Sequence, residues 1–371
     1  MIYGERVKQV REMHQMTQSE LARAVPGLTQ YQLSRIEKEL AQPSEEAEAL
    51  LAATFGVSVE FFHREPSASL TALSPQLRAR SRLTQRSKSA AMQWARLVYE
   101  EYSELRAGAR VIPPSINQMH GSSPAEAAAA AREIFGFTPH EPLPYLVLAI
   151  ERAGVTVLGI PFENETLDGF SAWRGDEPVV AMLSDVPGDR VRFTIAHELG
   201  HLILHRPGQT GNAVEIEADQ FAAELLTPRD AMKQVFPSHP TLSTLAMLKT
   251  QWGVSIKSLV RAAREVGVID QERAISLYKQ ISARGWNKQE PGHVPHEKPR
   301  ALRKLMEIRY GSGLNISALA KDADWSEELA FQILEQHATV DELPHAPVRS
   351  TSKSGDNVIQ LRSRVATGTS G

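Results

Sequence analysis

At 371 residues, with 42% hydrophobic and 23% charged side chains, the chain has room for two or three domains, and its composition excludes a fibrous or wholly disordered protein. A net charge of −3 gives no global attraction to nucleic acid, and the absence of cysteine excludes disulfides, cysteine-based zinc fingers and thiol nucleophiles. Any metal must be held by histidines and carboxylates. The apolar stretch at 146–150 falls far short of the roughly 20 residues of a membrane span, so no membrane partner is expected. The opening residues lack a basic-then-apolar leader, which points to the cytoplasm.

Residues 1 to about 63 read as short helices punctuated by Gly27, Pro43 and Gly56. Thr17-Gln18-Ser19-Glu20-Leu21-Ala22, a turn at Pro26-Gly27, and Thr29-Gln30-Tyr31-Gln32-Leu33-Ser34-Arg35-Ile36-Glu37 have the order of a helix-turn-helix. Thr17 and Thr29 are suited to cap the two helices, and Leu21, Ala22, Val25, Leu33 and Ile36 form their seam. That leaves Gln30, Tyr31, Gln32 and Arg35 facing outwards, with Gln18 and Thr29 at the helix starts beside them; Gln and Arg are the side chains that read adenine and guanine edges. These residues resemble the XRE-type helix-turn-helix family, with one extra residue at Pro26 in the turn. The resemblance implies DNA as partner, and such modules usually bind as homodimers to palindromic operators. Residues 1–65 carry 7 Lys/Arg against 10 Asp/Glu, so attraction to phosphate from this unit is weak. A bundle used for protein contacts is the plainer alternative.

Pro66-Ser67-Ala68-Ser69 reads as a break, and 76–107 as a helical, locally basic stretch with Arg78, Arg80, Arg82, Arg86 and Lys88. A solvated helix face is the simplest reading of that run, so 66–115 is taken as linker and basic helix. The Ala-rich segment 124–135 is expected to be helix, with Pro124 in its first turn. Strands are expected at Val155–Ile160 and Val179–Leu183, and helical spacing marks 143–152, 190–205, 213–226, 240–284 and 299–337. The fold class that follows is mainly α with a small α+β middle domain: a helix-turn-helix bundle (1–65), a peptidase-like domain with a small sheet (116–230), a helical C-terminal part (231–340) and a tail (341–371) expected to be disordered.

The sharpest signal is Phe193-Thr194-Ile195-Ala196-His197-Glu198-Leu199-Gly200-His201. Helical residues four apart lie about 40° apart around the axis, so His197 and His201 can chelate one ion. Neutral imidazoles suit zinc, and Glu198 can reach a metal's water as general base. A second helix carrying Glu215-Ile216-Glu217-Ala218-Asp219 offers the third ligand. Glu215 is expected to bind the ion and Asp219 to orient a ligand histidine, with Glu217 as the competing ligand. His205 follows His201 on the same helix and reads as a supporting residue or a helix C-terminal cap. A third histidine ten residues after the first is excluded, because Pro207 stands there.

With Asp168-Gly169-Phe170-Ser171 upstream and Glu215 to Pro228 downstream, this segment resembles the ImmA/IrrE family of metallo-endopeptidases. The resemblance implies a zincin-like fold, zinc as cofactor, site-specific proteolysis and repressor-type proteins as substrates or partners. Two functions from different classes follow: a DNA-tethered zinc endopeptidase, or a regulator whose peptidase-like domain is a non-catalytic sensor. Residues 240–267, with Lys249, Lys257, Arg261 and Arg264, have a second helix-turn-helix-like order for which packing is the simpler explanation. His293 and His296 receive no role.

Overall fold

The structure, a computed structural model, describes residues 1–67, 84–109, 113–164, 167–183, 187–206, 208–311 and 313–343. Arg78, Arg80, Arg82 and the tail from 344 onward lie outside the described residues. The N-terminal unit contains α1 (Gly4–Met13), α2 (Gln18–Ala24), α3 (Gln30–Glu37) and α4 (Glu45–Phe55). Thr17 and Thr29 start α2 and α3 with reciprocal capping boxes, Thr17 with Glu20 and Thr29 with Gln32. Leu21, Val25, Leu33 and Ile36 are buried between them, and the extra turn residue is accommodated by Gly27 at φ +82°.

The long helix α5 (Gln85–Arg106) keeps Arg86 of its basic start exposed, as a solvated face requires, but beyond that start it is largely buried. Ala90, Ala91, Trp94, Leu97, Val98, Tyr102 and Leu105 recur at three- and four-residue spacing and are buried, so one face is core. Trp94 Nε1 donates to the Met13 carbonyl at 3.2 Å, and Arg6 pairs with Glu100 at 2.5 Å, fixing α5 against α1. At its other end Tyr99 and Arg106 both reach Glu177, at 2.5 and 2.7 Å. The basic run reports charge at one end only, whereas the apolar stripe decides where the helix lies.

After α6 (Pro124–Ile134) and α7 (Leu146–Arg152) come three strands, β1 (Thr156–Ile160), β2 (Gly169–Arg174) and β3 (Glu177–Leu183). Their order is β1-β3-β2, with β1 parallel and β2 antiparallel to β3. The period of two splits the side chains between two cores. Leu158, Ile160, Phe170, Ala172, Val179, Ala181 and Leu183 join the N-terminal helices and α5, whereas Val157, Val180 and Met182 face the helices of the middle domain. The second strand, expected only from the resemblance of Asp168-Gly169-Phe170-Ser171 to a strand-and-turn segment, places Ser171 opposite Val180 on that inner face.

The inner face is covered by α8 (Gly188–Leu204) and α9 (Asn212–Leu226), followed by α10 (Arg229–Val235), α11 (Leu242–Trp252), α12 (Ile256–Glu265) and α13 (Gln271–Ala283). In the 240–267 stretch, Lys249 is buried between Asp189 (2.7 Å) and Glu290 (2.9 Å), a packing role. Buried Arg192 pairs with Glu297 and donates to the carbonyls of Gly253 (3.0 Å), Pro144 (3.2 Å) and Leu143, tying α8 to the segment that leads away from α13.

The last helices, α14 (Ala301–Tyr310), α15 (Ile316–Ala323) and α16 (Glu327–Glu335), return to the N-terminal core. Ser58 N–H donates to the Asp324 carbonyl and Ser326 N–H to that of Gly56, both at 2.8 Å, around a bridge between Val57 and Trp325. Glu151, at the end of α7, caps α14 by accepting from the N–H groups of Arg300 and Ala301. The helical spacing read at 299–337 identifies buried positions; their partners, 250 residues away in sequence, are a tertiary fact.

Candidate functional site

Helix α8 is buried over most of its length, which makes each polar side chain on it costly unless partnered. His201 is 1% and Glu198 2% exposed. The site forms because α9 crosses α8 closely at Gly200, where a Cβ would lie 3.0 Å from the Phe221 ring. That approach brings Glu215 and Asp219, one turn apart on α9, over His197 and His201, one turn apart on α8.

The Nε2 atoms of His197 and His201 are 3.0 Å apart. Glu215 lies 3.4 Å from the first and 3.7 Å from the second. Two ligands of a tetrahedral zinc ion, each at about 2.0–2.1 Å, are separated by about 3.3 Å, so these three donors have the spacing of three corners of such a site. Among the described residues no other trio of His, Asp or Glu gathers its ligand atoms this closely. Burial disfavours a charge on His197, but its bonds to Asp219 and Glu215, with Glu198 nearby, outweigh that and push its pKa up to about 9. The pocket favours a cation.

The far side of each imidazole is also occupied. His197 Nδ1 meets Asp219 at 2.8 Å. His201 Nδ1 meets His205 Nδ1 at 3.0 Å, and His205 Nε2 meets Glu217 at 3.0 Å. If Nε2 of His201 offers its lone pair to an ion, its proton sits on Nδ1 and is donated to His205. His205 then carries its own proton on Nε2 and donates it to Glu217. Glu217, the competing ligand of the sequence reading, thus faces away from the trio and fixes a tautomer instead. His205 is both the C-cap residue of α8 and the partner of His201.

Glu198 is held by Ser171, whose hydroxyl donates to Oε2 at 2.7 Å from strand β2. Sequence reasoning quoted Ser171 without giving it a role. The available signal was the alternation Phe170, Ser171, Ala172, a polar residue between two apolar ones in a strand facing a buried helix. At the mouth of that strand Asp168 pairs with Arg190 at 2.7 Å.

The N-terminal candidates sit on a separate, exposed surface. Gln30 Nε2 donates to Gln18 Oε1 at 3.1 Å, linking the starts of α3 and α2 across the turn. Tyr31 is exposed, and Arg35 stacks over its ring at 5.9 Å while donating to the Leu40 carbonyl. Gln32 is exposed as expected, and its carboxamide oxygen also accepts from both the N–H and the hydroxyl of Thr29, so it serves the cap of α3. Arg11 on α1, which the sequence did not single out, ties α1 to α3 by pairing with Glu37 at 2.6 Å, while Gln18 of α2 donates to the same carboxylate.

Residues 7–62 match the family model described as helix-turn-helix, and residues 150–264 match the peptidase family model described as an IrrE N-terminal-like domain. The second match holds the sheet, α8 and α9 and runs beyond residue 230 into α12. No curated protein matches the chain. No helix among the described residues is long and apolar enough to cross a membrane. The chain therefore joins an XRE-type helix-turn-helix domain, the DNA-binding part of a transcription regulator, to an ImmA/IrrE-type domain of a metallopeptidase family.

Proposed function

We propose that this DNA-binding regulator is also a zinc endopeptidase that hydrolyses a peptide bond in a partner protein, a repressor-type protein being the substrate class implied by the family. The observation that carries the reading is the pairing of the His197, His201 and Glu215 donors with Glu198, a buried carboxylate on the same helix held by Ser171. His197, His201 and Glu215 would hold the ion, and Asp219 and the His205–Glu217 pair would keep both rings aimed at it. Zinc bound there supplies an acidified water and a polarised scissile carbonyl. Glu198 takes the proton of the attacking water and passes it to the departing amine. Ser171 fixes that carboxylate, so the proton is handed over from a defined position. A site of two histidines and one carboxylate leaves a coordination position open, as catalysis requires. At the other end, Gln30 and Arg35 would read base edges and Gln18 and Thr29 would contact the backbone of a palindromic operator, with the chain acting as a homodimer in the cytoplasm.

The test is Glu198→Gln, which keeps shape but removes the base. The purified variant should retain wild-type metal content by elemental analysis, while cleavage of cellular proteins detected by terminal proteomics falls by roughly 100-fold or more. A variant that cleaves like wild type, or a wild-type protein whose expression changes no protein terminus, refutes proteolysis and leaves a sensor.

A further inference from the structure

We propose that the start of helix α5, outside the matched helix-turn-helix, extends the DNA interface: Arg86 docks a phosphate of the duplex beside Arg23 on α2. The inference rests on DNA binding by the helix-turn-helix and adds to it a contact from another part of the fold.

Position is the first argument. Arg86 Nη2 lies 3.5 Å from Glu20, the third residue of α2, and Ser87 donates to Gln15 just before that helix. Glu20 belongs to the same first turn as Gln18, whose side chain touches Gln30 at the start of α3. The beginning of α5 is therefore continuous with the end of the motif that must approach DNA, since the second helix of such a motif presents its N-terminal residues to base edges.

Charge is the second argument. Of the seven Lys/Arg in residues 1–65, Arg6, Arg11 and Arg64 pair with Glu100, Glu37 and Glu104, and Lys8 lies on α1, outside the two helices of the motif. The other three, Arg23, Arg35 and Lys38, lie on α2, on α3 and at the α3 C-cap. Three cations on the two helices of the motif are few for a complex whose affinity comes mainly from phosphate neutralisation. Arg86 supplies a fourth, and the first turn of α5 contains no acid. Its guanidinium is 52% exposed and its contact with Glu20, itself 40% exposed, is long. An exposed pair of this kind is worth little, so the guanidinium is free to turn to a phosphate. Phosphate contacts of this sort orient a protein on the duplex without reading sequence.

The experiment measures binding of the full chain to a random-sequence duplex of about 30 base pairs by fluorescence anisotropy across a salt series. Each lost phosphate contact lowers the slope of log K against log salt by about 0.9. Arg86→Gln should show that drop with a loss of affinity of about threefold at moderate salt, Arg86→Lys should keep the wild-type slope, and Lys304→Gln, at an exposed position of α14, should change neither. Partial unfolding would lower the amplitude without changing the slope. A wild-type slope in Arg86→Gln together with a reduced slope in Arg23→Gln overturns the proposal and leaves the helix-turn-helix reading standing. A wild-type chain that binds no duplex removes both.

Discussion

The helix-turn-helix end and the His-Glu cluster each rest on one helix, yet they obey opposite rules. On α3 the chemistry is exposed: Gln30, Tyr31 and Arg35 lie on the surface, and their internal partners are few and weak. On α8 it is buried: His197, Glu198 and His201 are almost inaccessible, and they are partnered by Asp219 of α9, Ser171 of β2 and His205 at the end of α8. An exposed group keeps water until its ligand arrives, so it needs only a stable helix beneath it. A buried group has lost water on folding and must be satisfied by the protein, which is why α9, β2 and the end of α8 all converge on the His197–His201 cluster.

That contrast predicts a graded response to substitution. The largest effect should come from removing a buried donor: His201→Ala should lower metal affinity by several orders of magnitude, measured by chelator competition. His205→Ala, which removes only the partner of His201, should lower it by about tenfold. Equal losses in the two variants would mean that His205 is itself a ligand. The exposed end should respond more mildly and additively. Gln30→Ala and Arg35→Ala should each cost on the order of 1–3 kcal/mol in sequence-specific binding while leaving metal content unchanged, checked by gel shift on a selected duplex.

The smallest effect concerns the junction between the two ends. Glu101 on α5 is buried near Glu104, Arg64, Asp322 and Arg309, and burial, with Glu104 adding to it, pushes its carboxyl up to about 7. An acid whose folded pKa is raised contributes stability below about pH 4.5 that is lost as pH rises through 7. Glu101→Gln should therefore gain on the order of 1–2 kcal/mol over wild type on going from pH 5 to pH 8, measured by denaturant unfolding at both values. A parallel pH dependence in the two proteins would show that Glu101 is solvated and that the junction is looser than its packing suggests.

Legibility in the sequence followed the same division. The helix-turn-helix was readable because its caps, seam and outward face fall within about twenty contiguous residues, where helical periodicity alone assigns directions. The pair His197 and His201 was readable for that reason too. The third partner was only half readable: spacing allowed Glu215 or Glu217, and the crossing of α9 over Gly200 put Glu215 beside the imidazoles and Glu217 beside His205. Ser171 and the reach of α5 and α14–α16 were not readable as roles, because a pattern of apolar residues states that a face is buried and never against what.

What the sequence determined by itself were the local quantities: which segments are helical, where they start, which residues of one helix share a side, and, through the missing cysteines, that only histidines and carboxylates could gather around a metal. The tertiary structure decided which segments meet. It joined residues 56–58 to 324–326, laid β2 against the helix that carries His197 and His201, and made the helix read as locally basic the one shared by the N-terminal unit and the sheet. Local preferences depend on a few neighbouring dihedrals, whereas long-range contacts depend on how the apolar faces can be buried together, a property of the whole chain.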